Sequence, residues 1–160
     1  MNVSDSPQII SYDPAYKSDF KRLNVEWLEK YFVVEGIDEQ MLSDPESYII
    51  NKGGFIFFAL YNQEVIGTAA LIKESDEVFE LSKMSVTEKH QGLGVGRLLA
   101  ERALQAFEQT GAKLLFLESN AKLEPALRLY ESLGFKHTDK TSDSHYQRAD
   151  VYMTYQPTKD

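Results

Sequence analysis

Apolar residues follow two rhythms along this chain. Through the first third they recur every three or four residues. Phe20, Leu23, Val25, Trp27, Leu28, Tyr31 and Phe32 predict a helix over 14–32, preceded by a short strand over 7–12 and stopped by Gly36. A shorter helix is expected over about 38–51, with Asp38 or Ser43 as caps and Pro45 marking a break or a new first turn. The rhythm then switches. FIFFALY at 55–61 is an almost continuous apolar run, which suits a strand covered on both faces. Residues 65–73 and 78–86 read as two further strands, with turns at Asn62-Gln63 and at 74–77. Consecutive strands on short links pair antiparallel.

Helical period returns from Val95 to Gln109. Positions 95, 98, 99, 103, 106 and 107 form the apolar face, Arg97, Glu101, Gln105 and Glu108 the polar one, and Gly111 the stop. Residues 113–119 are the next strand, parallel to 78–86 because a helix separates the two. Leu123, Ala126, Leu127, Tyr130 and Leu133 make another helical stripe, with Pro125 in its first turn and Gly134 at its end. Residues 135–138 and 150–155 read as a final strand pair around the polar loop 139–149. The expected class is α/β of the α+β type, in one domain over residues 1–160.

Charge narrows the partners. The chain carries 17 Lys and Arg against 25 Asp and Glu, a net charge of −8. That balance argues against nucleic acid and mildly favours cationic small molecules, while also serving simple dispersal in water. There is no cysteine, which excludes disulfides, thiolate metal sites and a cysteine nucleophile. His90, His137 and His145 are scattered, so no metal is expected. The N-terminus lacks a basic start with an apolar core, and no apolar run approaches the roughly 20 residues that span a bilayer. A cytoplasmic location without membrane contact is the expectation.

The most chemical segment is Gln91-Gly92-Leu93-Gly94-Val95-Gly96-Arg97, where three alternating glycines run into a helix. Glycine lets the backbone approach a ligand, and a helix start offers unpaired N–H groups with partial positive charge. Together they cradle a phosphate or pyrophosphate. A dinucleotide fingerprint would need a third glycine where Arg97 or Leu99 stands, and no Gly-Lys-Ser/Thr follows as in a Walker loop. If strands 78–86 and 113–119 splay apart, a linear chain with amide groups, such as pantetheine, can bond a strand edge between them.

ELSKMSV (80–86), QGLGVGRLL (91–99), LESN (117–120) and ALRLYESLGF (126–135) resemble, in order and spacing, the successive motifs of the GNAT acyl-CoA N-acyltransferases. Gln91, Gly94 and Gly96 fit that family's Q/R-x-x-G-x-G/A pattern, and RADVYM (148–153) is similar to its last strand. The resemblance implies a mixed, mostly antiparallel sheet flanked by helices on both faces, with splayed parallel strands at the cofactor site. It also implies acetyl-CoA or another acyl-CoA as cosubstrate, no metal, and a small amine or peptide amine as acceptor, with homodimers common in the family.

Acyl transfer to an amine has two proton problems. An amine of pKa about 10.4 is neutral in about one molecule in 10³ at pH 7, a cost of about 4.6 kcal/mol; a thiolate leaving group of pKa about 8.5 misses pH 7 by only about 2 kcal/mol. Removing the amine proton is the larger task. The resemblance makes Glu80 the candidate general base, with a plain strand-end carboxylate as the alternative. Strict alternation puts Glu80, Ser82, Met84 and Val86 on one face unless a bulge shifts the parity. Tyr130 is the candidate general acid, with a packing tyrosine as the alternative. Met84, Ser85 and Val86 would offer backbone groups to pantetheine and the acyl carbonyl. Gln91, Gly92, Leu93, Gly94, Val95, Gly96 and Arg97 would hold the pyrophosphate, with an exposed helix arginine as the alternative for the Arg97 side chain. Asn120 would bond the cofactor, with a plain strand-end turn residue as the alternative. The resemblance makes Trp27, Tyr31, Phe32, Glu35 and Asp38 the candidate acceptor pocket, where cation–π and ion-pair contacts suit an amine, with the helix's buried face as the alternative for Trp27, Tyr31 and Phe32. Two function classes follow: an N-acetyltransferase, or a non-catalytic acyl-CoA-binding sensor or regulatory domain.

Overall fold

A computed structural model of the chain describes residues 6–32, 36–138 and 150–156, with only the backbone of Tyr31 and Ile37. The expected loop 139–149, with His145, and the acceptor candidate Glu35 lie outside the described residues.

Among the described residues seven strands form one sheet: β1 (Gln8–Ser11), β2 (Phe55–Tyr61), β3 (Glu64–Ser75), β4 (Val78–Val86), β5 (Leu114–Ser119), β6 (Phe135–His137) and β7 (Val151–Tyr155). Their order across the sheet is β1-β2-β3-β4-β5-β7-β6. All neighbours are antiparallel except β4 and β5, which the helical crossover makes parallel. Asn62 and Gln63 close the β2–β3 hairpin with φ of 51° and 67°. Two successive left-handed residues give a turn whose twist matches that of the strands.

Among the described residues four α-helices cover the sheet: α1 (Lys17–Tyr31), α2 (Gly36–Ser43), α3 (Val95–Thr110) and α4 (Glu124–Leu133). The alternation of β2 sorts the core in two. Phe57 and Ala59 join Leu71, Phe79, Leu81, Leu99, Leu115 and Met153 on the face covered by α3, with Leu127, Tyr130 and Leu133 of α4 packed against that cluster. Ile56 and Phe58 join Phe20, Leu23, Leu28, Leu42 and Ile72 under α1 and α2. Both faces of β2 are therefore covered, as its unbroken apolar run predicts. The start of α3 lies close on the sheet at Gly67, where a Cβ would come within 3.0 Å of both Leu99 and Val95.

The first helical segments differ from expectation. Residues 14–16 form a 3-10 turn capped by Asp13, whose carboxylate accepts from the Ala15 N–H at 2.9 Å, and α1 begins only at Lys17. Gly36 opens α2 rather than ending α1. The expected helix over 38–51 is split: α2 ends at Ser43, and a π-helical turn runs over Glu46–Ile50 beyond Pro45. Proline has no N–H to continue a helix. The Asp44 carboxylate instead accepts from the Ser47 N–H at 3.2 Å and starts the new turn.

Candidate active site

The site begins where the sheet comes apart. β4 and β5 pair through Val78–Leu114, Phe79–Leu115 and Glu80–Phe116, and the recorded ladder stops there. Past Phe116, β5 continues against β7 as far as Ser119–Val151. The β4 edge from Leu81 to Val86 thus diverges from its parallel neighbour and opens a gap.

On its other edge β4 is bulged. Thr68 faces Ser85 and Ala70 faces Ser82, so Lys83 and Met84 stand opposite Ala69 alone. Lys83 has φ 54°, in the left-handed region. The bulge reverses the side-chain parity. Before it, Glu80 pairs with Ile72 on the α1–α2 face. After it, Met84 and Val86 pack on the α3 face, while Ser85 turns to α1 and donates its hydroxyl to the Leu23 carbonyl at 2.9 Å. The expectation of one face for Glu80, Ser82, Met84 and Val86 is therefore corrected: the extra residue divides them. The Lys83 side chain runs to Asp38 on α2, with Nζ 2.7 Å from Oδ1 and only 3% and 0% of the two side chains exposed.

Beyond β4, a 3-10 turn over Glu88–His90 leads to the glycine segment. Gly92 and Gly94 have φ of 94° and 76°, and a Cβ at either would meet nothing within 4 Å. Backbone conformation, not crowding, demands glycine here. Gly94 caps α3 without a side-chain hydrogen bond, and the first helical bond runs from the Leu98 N–H to the Gly94 carbonyl at 3.1 Å. The amides of Val95, Gly96 and Arg97 come before that bond and have no carbonyl one turn back.

Gap and glycine turn open into one cavity of about 540 Å³, within the usual range for small-molecule sites. Met84, Ser85, Val86, Gln91, Gly92, Gly94, Val95, Gly96, Arg97, Asn120 and Tyr130 line it, as do Trp27, Phe32 and Asp38. Leu93 does not; it is the exposed large apolar residue of the turn. Glu80 does not either: it is 2% exposed, set in the sheet between Ile72 and Phe116. Arg97 reaches α4, donating to the Ser132 hydroxyl and pairing with Glu101 at 3.5 Å. Asn120 turns the chain out of β5, its side-chain oxygen accepting from the Lys122 N–H at 3.0 Å. Burial pushes the Tyr130 phenol up to about 12, so it keeps its proton at neutral pH.

At the other end of the cavity Trp27 and Phe32 pack with ring centroids 5.5 Å apart, and the Lys122 ammonium lies 4.2 Å from the Phe32 centroid. The end of α1 is thereby joined to the β5–α4 loop. Lys30 pairs with Glu88, joining it to the opposite wall as well. The sequence reading missed two ionisable groups that line the cavity, Lys83 and Glu118. Glu118 lies two residues beyond Phe116, the partner of Glu80, and so on the same face of the sheet. The register that pairs Glu80 with Phe116 is set by the fold, so the sequence carried no local signal for Glu118. Among the described residues no group of three or more His, Asp or Glu side chains could hold a metal, and no helix is long and apolar enough to cross a membrane.

The model of the acetyltransferase (GNAT) family matches residues 20–135. The N-acetylaspartate synthetase of Xenopus tropicalis is 36% identical over 98 residues, covering 60% of this chain and 36% of that protein. The chain thus spans little more than a third of that relative's length. Among solved structures, a GNAT acetyltransferase from Staphylococcus aureus Mu50 superposes with a TM-score of 0.84 at 20% identity, covering 94% of this chain and 98% of the other. A GNAT acetyltransferase from Elizabethkingia anophelis with acetyl-CoA bound gives a TM-score of 0.63 at 20% identity, covering 96% and 100%. These likenesses bear out the expected fold.

Proposed function

The chain belongs to the acetyltransferase (GNAT) family, and we propose that it moves an acetyl group from acetyl-CoA to an amine by direct attack in the cavity between β4 and β5. One observation carries this reading: the uncapped α3 start and the open β4 edge face the same cavity. The first suits a diphosphate and the second an extended chain with amide groups. The amides of the glycine turn through Arg97 are assigned to the diphosphate, Asn120 to the cofactor, and the Met84–Val86 backbone to the pantetheine and the thioester carbonyl.

In the reaction the amine nitrogen attacks the thioester carbon, and negative charge grows on the carbonyl oxygen. An amide N–H at the bulge meets that charge. The C–S bond breaks as the amide bond is completed, and the thiolate takes a proton from the Tyr130 hydroxyl. The amine's proton passes to a carboxylate. Glu80 serves through water, since it is set back from the cavity, or Glu118, which lines the cavity, takes the proton in its place. Trp27 and Phe32 hold the acceptor's apolar part. The name of the Xenopus relative places free amino acids, aspartate among them, first in the panel of amines to try.

The test is thiol release from acetyl-CoA with amino acids, polyamines, aminoglycosides and short peptides, followed by the mass of the product. Amine-dependent thiol release with an acetylated product is expected. Tight coenzyme A binding with no release from any amine would replace catalysis by the sensor reading. No binding at all would end both.

A further inference from the structure

We infer that the buried Lys83–Asp38 pair is a clamp that holds the β4 bulge in its catalytic shape, so that Lys83 and Asp38 are positioning residues for the amide that meets the thioester carbonyl. The inference rests on the acetyl-transfer reading above. Among the described residues three non-glycine positions have left-handed φ. Asn62 and Gln63 form a two-residue hairpin turn, where the chain reversal demands that conformation. Lys83 has no such excuse. It stands inside a nine-residue strand with regular pairs before and after it. A long side chain gains nothing locally from a left-handed backbone, and such strained residues persist only where their surroundings over-determine them.

The surroundings here are two anchors on one face of the sheet. Lys83 reaches into α2 and ends 2.7 Å from the Asp38 carboxylate. Two residues on, the Ser85 hydroxyl is fixed to the Leu23 carbonyl of α1. The bulge is therefore held at both ends by the helices that also carry the acceptor side of the cavity. Both charges of the clamp are almost wholly withdrawn from water, so neither can be left alone without heavy cost. The pair is then either closed, with the bulge in place, or lost with the local structure. A strand relaxed to regular pairing would return the Met84 amide to the β3 ladder and away from the gap.

A purely stabilising pair and a conformational clamp respond differently to glycine, which adopts left-handed φ without a side-chain penalty. Both charges are removed together in Lys83→Ala/Asp38→Leu, and the same background is given glycine in Lys83→Gly/Asp38→Leu. With acetyl-CoA and the best amine of the panel, the alanine pair should lose at least tenfold in kcat with less than threefold change in KM for acetyl-CoA. The glycine pair should recover most of that loss, although it packs less. A glycine variant as slow as the alanine one, or slower, overturns the clamp. So does loss of thermal stability in both with kcat unchanged. A wild-type chain that releases no thiol sinks the acetyl-transfer reading instead, and the clamp is then read on the Met84 amide in ¹H–¹⁵N spectra. That resonance should move in the mild variant Asp38→Asn and return towards its wild-type position in Lys83→Gly/Asp38→Leu. A resonance unmoved in Asp38→Asn overturns the inference.

Discussion

The two ends of the cavity are built by different means. The end at α3 is backbone: left-handed glycines, uncapped amides and an open strand edge, with little dependence on which side chains surround them. The end at α1 and α2 is side chain: Trp27 tilted against Phe32, Lys122 over the ring, and a sealed ion pair. A backbone site recognises what every donor of one class shares. A side-chain site can be altered one residue at a time to take a new acceptor. The contrast teaches where specificity can vary without disturbing the chemistry.

Tyr130 lines the cavity that both ends share, and its loss should have the largest effect. Tyr130→Phe is expected to lower kcat about a hundredfold, in the range of a general acid, with KM for acetyl-CoA nearly unchanged. A raised KM at constant kcat would make it a binding residue only. Next comes the backbone end. Gly94→Val forces a branched residue into a left-handed cap, at about 2 kcal/mol, which weakens coenzyme A about thirtyfold by calorimetry. Gly96→Ala should stay near wild type, because its Cβ would sit 3.6 Å from Leu129 in ordinary contact. Equal losses in both would refute the view that conformation, rather than space, sets the turn.

Glu80→Gln should reduce turnover about tenfold and shift the pH–rate profile, and an unchanged profile removes Glu80 from proton transfer. Glu118→Gln under the same conditions shows which carboxylate carries the proton. Trp27→Ala should raise the acceptor KM a few fold and leave that for acetyl-CoA alone, the reverse of Gly94→Val. The smallest effect is alkaline. The Tyr130 phenol, raised by burial from 10.0 to about 12, favours the folded state below pH 10 and loses that contribution as pH rises from 10 to 12. Absorbance titration should show two phenols ionising near 12, Tyr12 and Tyr130, and only one of them in Tyr130→Phe.

The backbone end was legible in the sequence because its instructions are local. Alternating glycines before an amphipathic helix specify the turn within a few residues, and the meander and crossover follow from contiguous periodicities. The other end was legible only in part: Trp27, Phe32 and Asp38 were named for it and line the cavity, but the contacts that shape it come from distant positions. Nothing around Lys83 marks it as a bulge; the contact that fixes it comes from Asp38, 45 positions earlier. Without that contact, alternation placed Met84 on the face of Glu80, whereas the bulge turns it to the opposite one. Asp38 itself read as a helix cap or as part of the acceptor pocket, while burial gave it Lys83 as a partner. Gly36 read as a stop because glycine ends helices more often than it begins them. Glu80 was legible as a carboxylate on the right strand, but its depth in the sheet depends on Ile72 and Phe116 at either side.

Three ladder pairs fasten β4 to β5, all at the end of the seam remote from the glycine turn. The sheet is thus two plates stitched at one corner. A thioester carrier laid along the open stretch would act as the absent stitches, bonding one lip with its amides. Loading should therefore stiffen the seam itself, slowing amide exchange along the β4 and β5 lips more than in outlying β1, so that substrate completes the sheet it enters.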